Sequence, residues 1–332
     1  MRPDILVVGQ GLAGTLLAWE LETAGISFAV ADPGHATAAT MAAAGIINPV
    51  TGRRLVKSWR IDTLLPAARA TYRGLEAALG IACWHDVRVR RLFADDREQR
   101  IFATKQATGE LAPFAGAGDA AGFWIEGAAR VELGTLLEAA RARWRKQGRF
   151  REEAVDVTAE AERHMLVIDC TGRAGPLGGA FGFVPWEFSK GEVLELAVTG
   201  LEPGVVLNRR HWLVPVTPGT AWIGATHEPG VTEAVPSAAA RATLTESARV
   251  LSRQAVVVTG QRAGVRVNLP DKHPVAGRHP RNPRLGLING LGSKGALVGP
   301  ELARQWVSHL TGGAAFDSSV AADRYAGNAG QA

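Results

Sequence analysis

Gly9, Gly11 and Gly14 form a G-x-G-x-x-G turn between an apolar run, Ile5–Val8, and a stretch of helical character, Leu12–Leu21. A second apolar run, Ser27–Ala31, ends at Asp32. Strand, glycine turn, helix, strand and acid in this order describe a dinucleotide-binding unit, in which the acid follows roughly 20 residues after the turn. Gly9 permits the tight strand-to-helix turn, Gly11 lets backbone approach a pyrophosphate, and Gly14 lets the helix pack on the strand. Amides at the helix start face the phosphates, helped by the helix dipole. Asp32 is expected to accept hydrogen bonds from a ribose diol. An ordinary α/β glycine turn would share the glycines but has no need of the acid.

The other bulk features set limits. A chain of 332 residues suits one large domain or two interlocked ones. Its 46% hydrophobic and 21% charged residues are those of a soluble globular protein. The first strand begins so near residue 1 that no signal peptide is expected. No apolar run reaches the roughly 18 residues of a membrane span. Cys83 and Cys170 make no disulfide framework, so a cytoplasmic location is expected. The net charge of +5 comes from scattered arginines, with Arg53-Arg54, Arg90-Arg91 and Arg209-Arg210 as the densest pairs. None belongs to a long basic run, so nucleic acid is not the expected partner.

Periodicity divides the chain. Leu64, Leu65, Ala68, Tyr72, Leu75 and Leu79 mark one face of a helix over 62–79, closed by Gly80. Leu133, Leu136, Leu137, Ala140 and Trp144 mark another over 132–147. Buried strands are expected at 164–168 and 285–289, the second followed by Gly290–Gly295 and a helix to His309. Between these blocks, 87–93, 191–199, 211–216, 220–225 and 256–267 read as antiparallel strands. The nucleotide-binding part is therefore expected to be discontinuous, 1–80 with 130–182 and 260–332. A sheet-rich substrate part, 81–129 with 183–259, is threaded between. That layout argues against a simple NAD(P)-dependent dehydrogenase, whose nucleotide-binding halves are usually contiguous.

Nine segments occur together in one order. They are Val7–Gly14, Ala43–Gly45, Asp169–Gly172, Lys190–Glu192, Trp212–Pro215, Ile223–Thr226, Ala263–Arg266, Asp271–Pro274 and Gly290–Leu297. The series spans nearly the whole chain and resembles the FAD-dependent oxidoreductases of the D-amino-acid oxidase type. That family includes glycine oxidase, sarcosine oxidase and the oxidase domain of a bifunctional tRNA-modifying enzyme. The resemblance implies an α/β (α+β) two-domain fold. One domain is a glutathione-reductase-type Rossmann unit for FAD, the other an antiparallel or mixed-sheet substrate domain. It also implies one dinucleotide site and no separate site for a nicotinamide. The flavin is expected to be bound non-covalently, because no cysteine lies beyond Cys170 and Ala43 precedes Ala44-Gly45.

The resemblance assigns expectations to residues. Gly9, Gly11, Leu12, Ala13, Gly14, Asp32, Pro33 and Val155 would hold the adenosine diphosphate half. Ala44 and Gly45 would let backbone pass close to the flavin ring, and Thr171-Gly172 would end a strand at the ligand edge of the sheet. Gly290, Gly292, Ser293, Lys294, Gly295 and Ala296 would bring a helix N-terminus to the flavin, where Lys294 would support the reduced form. Arg266 matches the arginine that grips the substrate carboxylate in glycine-oxidase-like members; a guanidinium fork suits that task. Trp212 stands where glycine oxidase has a tyrosine, and is expected to wall the pocket. The stretch 48–59 is polar, cationic and aromatic, and follows Ala44-Gly45 closely. It is expected to approach one ring face, with Asn48, Arg53, Lys57 and Trp59 as pocket candidates and an anionic substrate as the consequence.

The expected reaction is oxidation of the C–N bond of an amine or amino acid, with hydride passing to flavin N5 and the imine hydrolysed. No metal is expected, and electrons would leave to oxygen or another acceptor. Catalysis would rest on orientation and on electrostatic support of reduced flavin. Two alternatives stay open. One is a stand-alone relative of the tRNA-modifying oxidase domain, acting on a carboxymethylaminomethyl group on RNA. The other is a non-catalytic flavoprotein.

Overall fold

The computed structural model describes residues 4–35 and 38–330. Two sheets organise it. The first has six strands in the order Val275–Arg278, Leu285–Asn289, Leu166–Asp169, Ile5–Val8, Phe28–Ala31, Phe150–Arg151. Ile5–Val8 runs parallel to both of its neighbours, and only Val275–Arg278 runs antiparallel, against Leu285–Asn289. Its central strands are buried throughout, and apolar except for Asp169, because both faces are covered, as parallel sheets require.

Three helices place this sheet's ligand edge. Leu12–Thr23 leaves the first strand through the glycine turn. A Cβ on Gly14 would lie 1.9 Å from the Gly9 carbonyl oxygen, so no larger residue fits there. Gly295–Gly312 packs beside it, and a Cβ on Gly299 would meet the Leu16 side chain at 2.7 Å. Ile61–Leu79 braces the pair through the Tyr72 hydroxyl, which donates to the Ala296 carbonyl at 3.0 Å. Trp306 is fully buried against the sheet and donates its indole N–H to the Leu287 carbonyl. Truncating such an indole to Ala costs about 3–5 kcal/mol.

The second sheet has ten strands and is mixed. Glu187–Ala197 lies at its heart, pairing with Thr220–Gly224 on one side and along its full length with Val257–Asn268 on the other. The path continues through Trp212–Thr217, Val205–Asn208, Trp84–Leu92 and Gly122–Val131 to Ile46–Ile47. Val205–Asn208 pairs parallel with Trp84–Leu92, so the sheet is not purely antiparallel. The helix Ala238–Ser252 covers part of one face, burying Leu244, Ala248 and Leu251 against Leu194, Leu213 and Ile223.

Two segments differ from expectation in the sheet they join. Residues 260–268 of the strand Val257–Asn268, and Ile46–Ile47, were expected with the nucleotide-binding part, yet both strands belong to the ten-stranded sheet. The reason is the long register from Glu187↔Asn268 to Ala197↔Val257, which needs the whole strand. The strand expected at 164–168 starts at Leu166, and Met165 before it is exposed. Among the described residues, no helix is long and apolar enough to cross a membrane.

Candidate active site

A cleft of about 500 Å3 opens at the carboxyl ends of the parallel strands and runs under the ten-stranded sheet. This is where ligands gather in open α/β sheets. Of the residues expected at the cofactor, Gly9, Gly11, Leu12, Ala13, Asp32, Pro33, Ala44, Gly45, Val155, Thr171, Gly172, Gly292, Ser293, Gly295 and Ala296 line it. The helices Leu12–Thr23 and Gly295–Gly312 both start on the cleft, and neither has a side-chain N-cap. Their first-turn amides thus present two sets of backbone donors to the cavity. That donor pair, with a long cavity between, fits a dinucleotide carrying a pyrophosphate at one end and an electron-accepting ring at the other.

At the strand end, the Asp32 carboxylate is 6% exposed and already has partners. Its Oδ2 accepts from the Gln10 amide at 2.7 Å, and its Oδ1 from the Gly34 amide at 2.8 Å. The Arg141 guanidinium also donates to Oδ1. Sequence reading missed Arg141 and Gln10; a contact 109 residues apart leaves no local signal. It also missed Thr40, whose Oγ1 accepts from the Leu12 amide at 3.2 Å on the cleft wall.

The far end of the cleft is built from the second sheet. Gly191, Val193, Trp212, Ala225, Gly264 and Arg266 line it. Ser189 lies opposite Arg266 in register, which puts Gly191 beside the arginine on the same strand face. A Cβ on Gly191 would lie 2.3 Å from Arg266 Nη2, so the glycine makes the space that the guanidinium fills. Arg266 donates weakly to the Thr226 carbonyl at 3.4 Å. Among the described residues, no carboxylate stands within ion-pair distance of it. Burial lowers its pKa, because the cation is removed from water without a counter-charge.

Several expectations are corrected here. Lys57 does not line the cleft. Its ammonium pairs with Asp62 at 2.8 Å, donates to the Ala112 carbonyl and lies over Phe114. Asn48 closes a local turn instead, its Oδ1 accepting from the Val50 amide and its carbonyl from the Ser58 hydroxyl. Arg53 is an exposed partner of Asp95, and the Trp59 ring lies tilted against His273 with centroids 4.9 Å apart. The stretch 48–59 folds into the short hairpin Val50–Thr51 with Val56–Lys57, which keeps its polar groups off the cleft.

Lys294 also stands apart from the lining residues. It is the N-cap of its helix, and burial lowers its pKa with no partner for its ammonium among the described residues. The neighbouring Gly295 and Ala296 face the cavity in its place. Gly290 and Gly14 are packing positions, the former against Leu269. Gly45 lines the cleft, but its missing Cβ makes room for the Val131 carbonyl, 2.0 Å from where it would sit. Chain packing and a positive φ of 69° both require glycine there.

Comparison with known proteins agrees with this geometry. The family model described as FAD dependent oxidoreductase (DAO) matches residues 4–309. The chain is 30% identical, over 93% of its length, to the tRNA 5-methylaminomethyl-2-thiouridine biosynthesis bifunctional protein MnmC of Maricaulis maris (strain MCS10), and spans 52% of that protein. It is 25% identical to glycine oxidase of Bacillus licheniformis, covering 94% of each chain. Among solved structures, glycine oxidase from Geobacillus kaustophilus has the same fold, with a TM-score of 0.76 at 22% identity over 96% of this chain and 97% of that one. Iminodiacetate oxidase from Chelativorans sp. BNC1 gives 0.76 at 20% identity, over 95% and 98%. The chain belongs to the DAO family of FAD-dependent oxidoreductases, and FAD is its cofactor.

Proposed function

We infer that this enzyme oxidises the C–N bond of a small amine that carries a carboxylate. One observation supports this above the others: Arg266 is a buried cation at the far end of the cleft with no carboxylate partner among the described residues. A substrate carboxylate would supply the missing charge through two parallel hydrogen bonds. Bound FAD supplies the two-electron acceptor for converting a C–N single bond to an imine, which water hydrolyses. The chain's own part is to bind and orient. Arg266 fixes the carboxylate, Trp212 walls the pocket, and Gly191 keeps the guanidinium in place. The first-turn amides at Gly295 and Ala296 favour negative charge on the cofactor side. The division into a cofactor part and a substrate part follows the two sheets.

The names of two relatives, glycine oxidase and iminodiacetate oxidase, fit this substrate class. A second reading is favoured by the 30% identity to the tRNA-modifying bifunctional protein. In that reading the carboxylated amine is a carboxymethylaminomethyl group attached to RNA. Oxygen uptake and product release separate the two. Glycine, sarcosine and iminodiacetate are tested beside an RNA bearing that group. Turnover of the free amines supports the first reading; turnover of the RNA alone replaces it with the second.

A further inference from the structure

We propose that Arg141 is the counter-ion that allows the Asp32 carboxylate to stand beside the adenosine diphosphate half of FAD. The inference rests on the cofactor and is independent of the substrate. Arg141 belongs to the helix Leu133–Lys146 and is 7% exposed. Its Nη2 donates to Asp32 Oδ1 and its Nε to Gln10 Oε1, the latter at 2.6 Å. Gln10 Nε2 donates in turn to the Leu137 carbonyl at 2.8 Å, and the Gln10 amide donates to Asp32 Oδ2. The ring of contacts joins the glycine turn, the acid at the second strand end and a helix that the glycine motif does not include. Phe150 lies under the guanidinium, 4.7 Å from its centre, and Glu152 approaches its Nη1 to 3.9 Å.

Two consequences follow for binding. A carboxylate offers about four lone-pair sites. Gln10, Gly34 and Arg141 occupy three, so one on Oδ2 is left for a ribose hydroxyl. Asp32 therefore makes one hydrogen bond to the ribose where the motif alone suggests a grip on both hydroxyls. The second consequence is electrostatic. FAD brings a pyrophosphate to a wall that already carries Asp32 and Glu153. In a buried site that repulsion is poorly screened. Arg141 cancels the Asp32 charge from behind, while two backbone amides keep the carboxylate aimed at the cleft.

The test is a double-mutant cycle on the full chain freed of flavin, with Kd measured separately for FAD and for ADP. ADP carries the ribose and the pyrophosphate but no flavin. Arg141→Met is expected to weaken both ligands by about 10- to 100-fold, as loss of a charge-assisted partner does. Arg141→Lys recovers most of that loss because the charge returns. Once Asp32→Asn has neutralised the acid, adding Arg141→Met costs less than about threefold. The comparison of Asp32→Asn with the double variant stands even where Arg141→Met alone fails to fold. The proposal is overturned if the arginine costs tenfold or more in the Asp32→Asn background, or if FAD weakens while ADP does not.

Discussion

Replacing Arg266 with Met separates a substrate grip from a structural role. The guanidinium fills the space beside Gly191, its one hydrogen bond among the described residues is a 3.4 Å contact to the Thr226 carbonyl, and burial lowers its pKa. Folding thus disfavours its charge. A neutral side chain of similar length removes that burden, so the thermal midpoint of Arg266→Met is expected to hold or rise. Substrate binding reverses the balance. Two charge-assisted hydrogen bonds to a carboxylate contribute about 1.5–3 kcal/mol each, about 3–6 kcal/mol together. At about 1.4 kcal/mol per tenfold change, kcat/KM for a carboxylated amine should fall by roughly 10²- to 10⁴-fold. The assay compares glycine or sarcosine with an amine of matched size lacking the carboxylate. Bound FAD is measured alongside. The second substrate should lose little, and FAD content should be unchanged. Equal losses for both substrates, or loss of FAD, would refute the reasoning and make Arg266 a structural residue.

Three further predictions follow from the same geometry. Gly191→Val puts a side chain where Arg266 Nη2 now lies, 2.3 Å from the added Cβ, and should reproduce the Arg266→Met substrate pattern with FAD retained, as read by flavin absorbance and kcat/KM. Cys83 is pushed up to about 12 and Cys170 well above its ordinary value, chiefly by burial, so neither thiol should react with a thiol-specific chromogenic reagent until the protein unfolds. Burial alone would raise the Glu22 carboxyl, but donors from Arg143, Gln147 and Trp144 hold it at about 2 instead of 4.5. Its stabilising contribution is full above about pH 4.5 and is lost as pH falls toward 2. Glu22→Gln should therefore lower the thermal midpoint near neutral pH, by a margin that shrinks on acidification.

The glycine turn, its two strands and Asp32 were legible in sequence because their order is local and each residue has a steric or electrostatic task. The helices at Ile61–Leu79 and Leu133–Lys146 were legible through apolar faces, and Gly295–Gly312 through the strand and glycine-rich stretch before it. Asp96–Ala107 escaped because only Glu98 and Phe102 are buried, which leaves almost no stripe to see. Gly122–Val131 escaped because its alternation is broken, with the four consecutive positions Ala128, Ala129, Arg130 and Val131 all buried at its end. In the site, Arg266 and Trp212 were found through resemblance, and the structure sets both on the cleft. Asn48 and Lys57 were misread because nearness in sequence to Ala44-Gly45 stood in for nearness in space. The hairpin at Val50–Lys57 turns that segment aside. Arg141 shows the converse, being distant along the chain and in contact with Asp32.

On the proposed function, FAD in the cleft takes electrons from a carboxylated amine seated on Arg266. Anaerobic mixing of the flavin-loaded enzyme with a matched pair of amines, one with and one without a carboxylate, tests this most directly. The flavin's visible absorbance should bleach with the carboxylated amine and recover when oxygen or another acceptor is admitted. Absorbance that stays unchanged with every carboxylated amine, or that bleaches equally with both members of the pair, would contradict it.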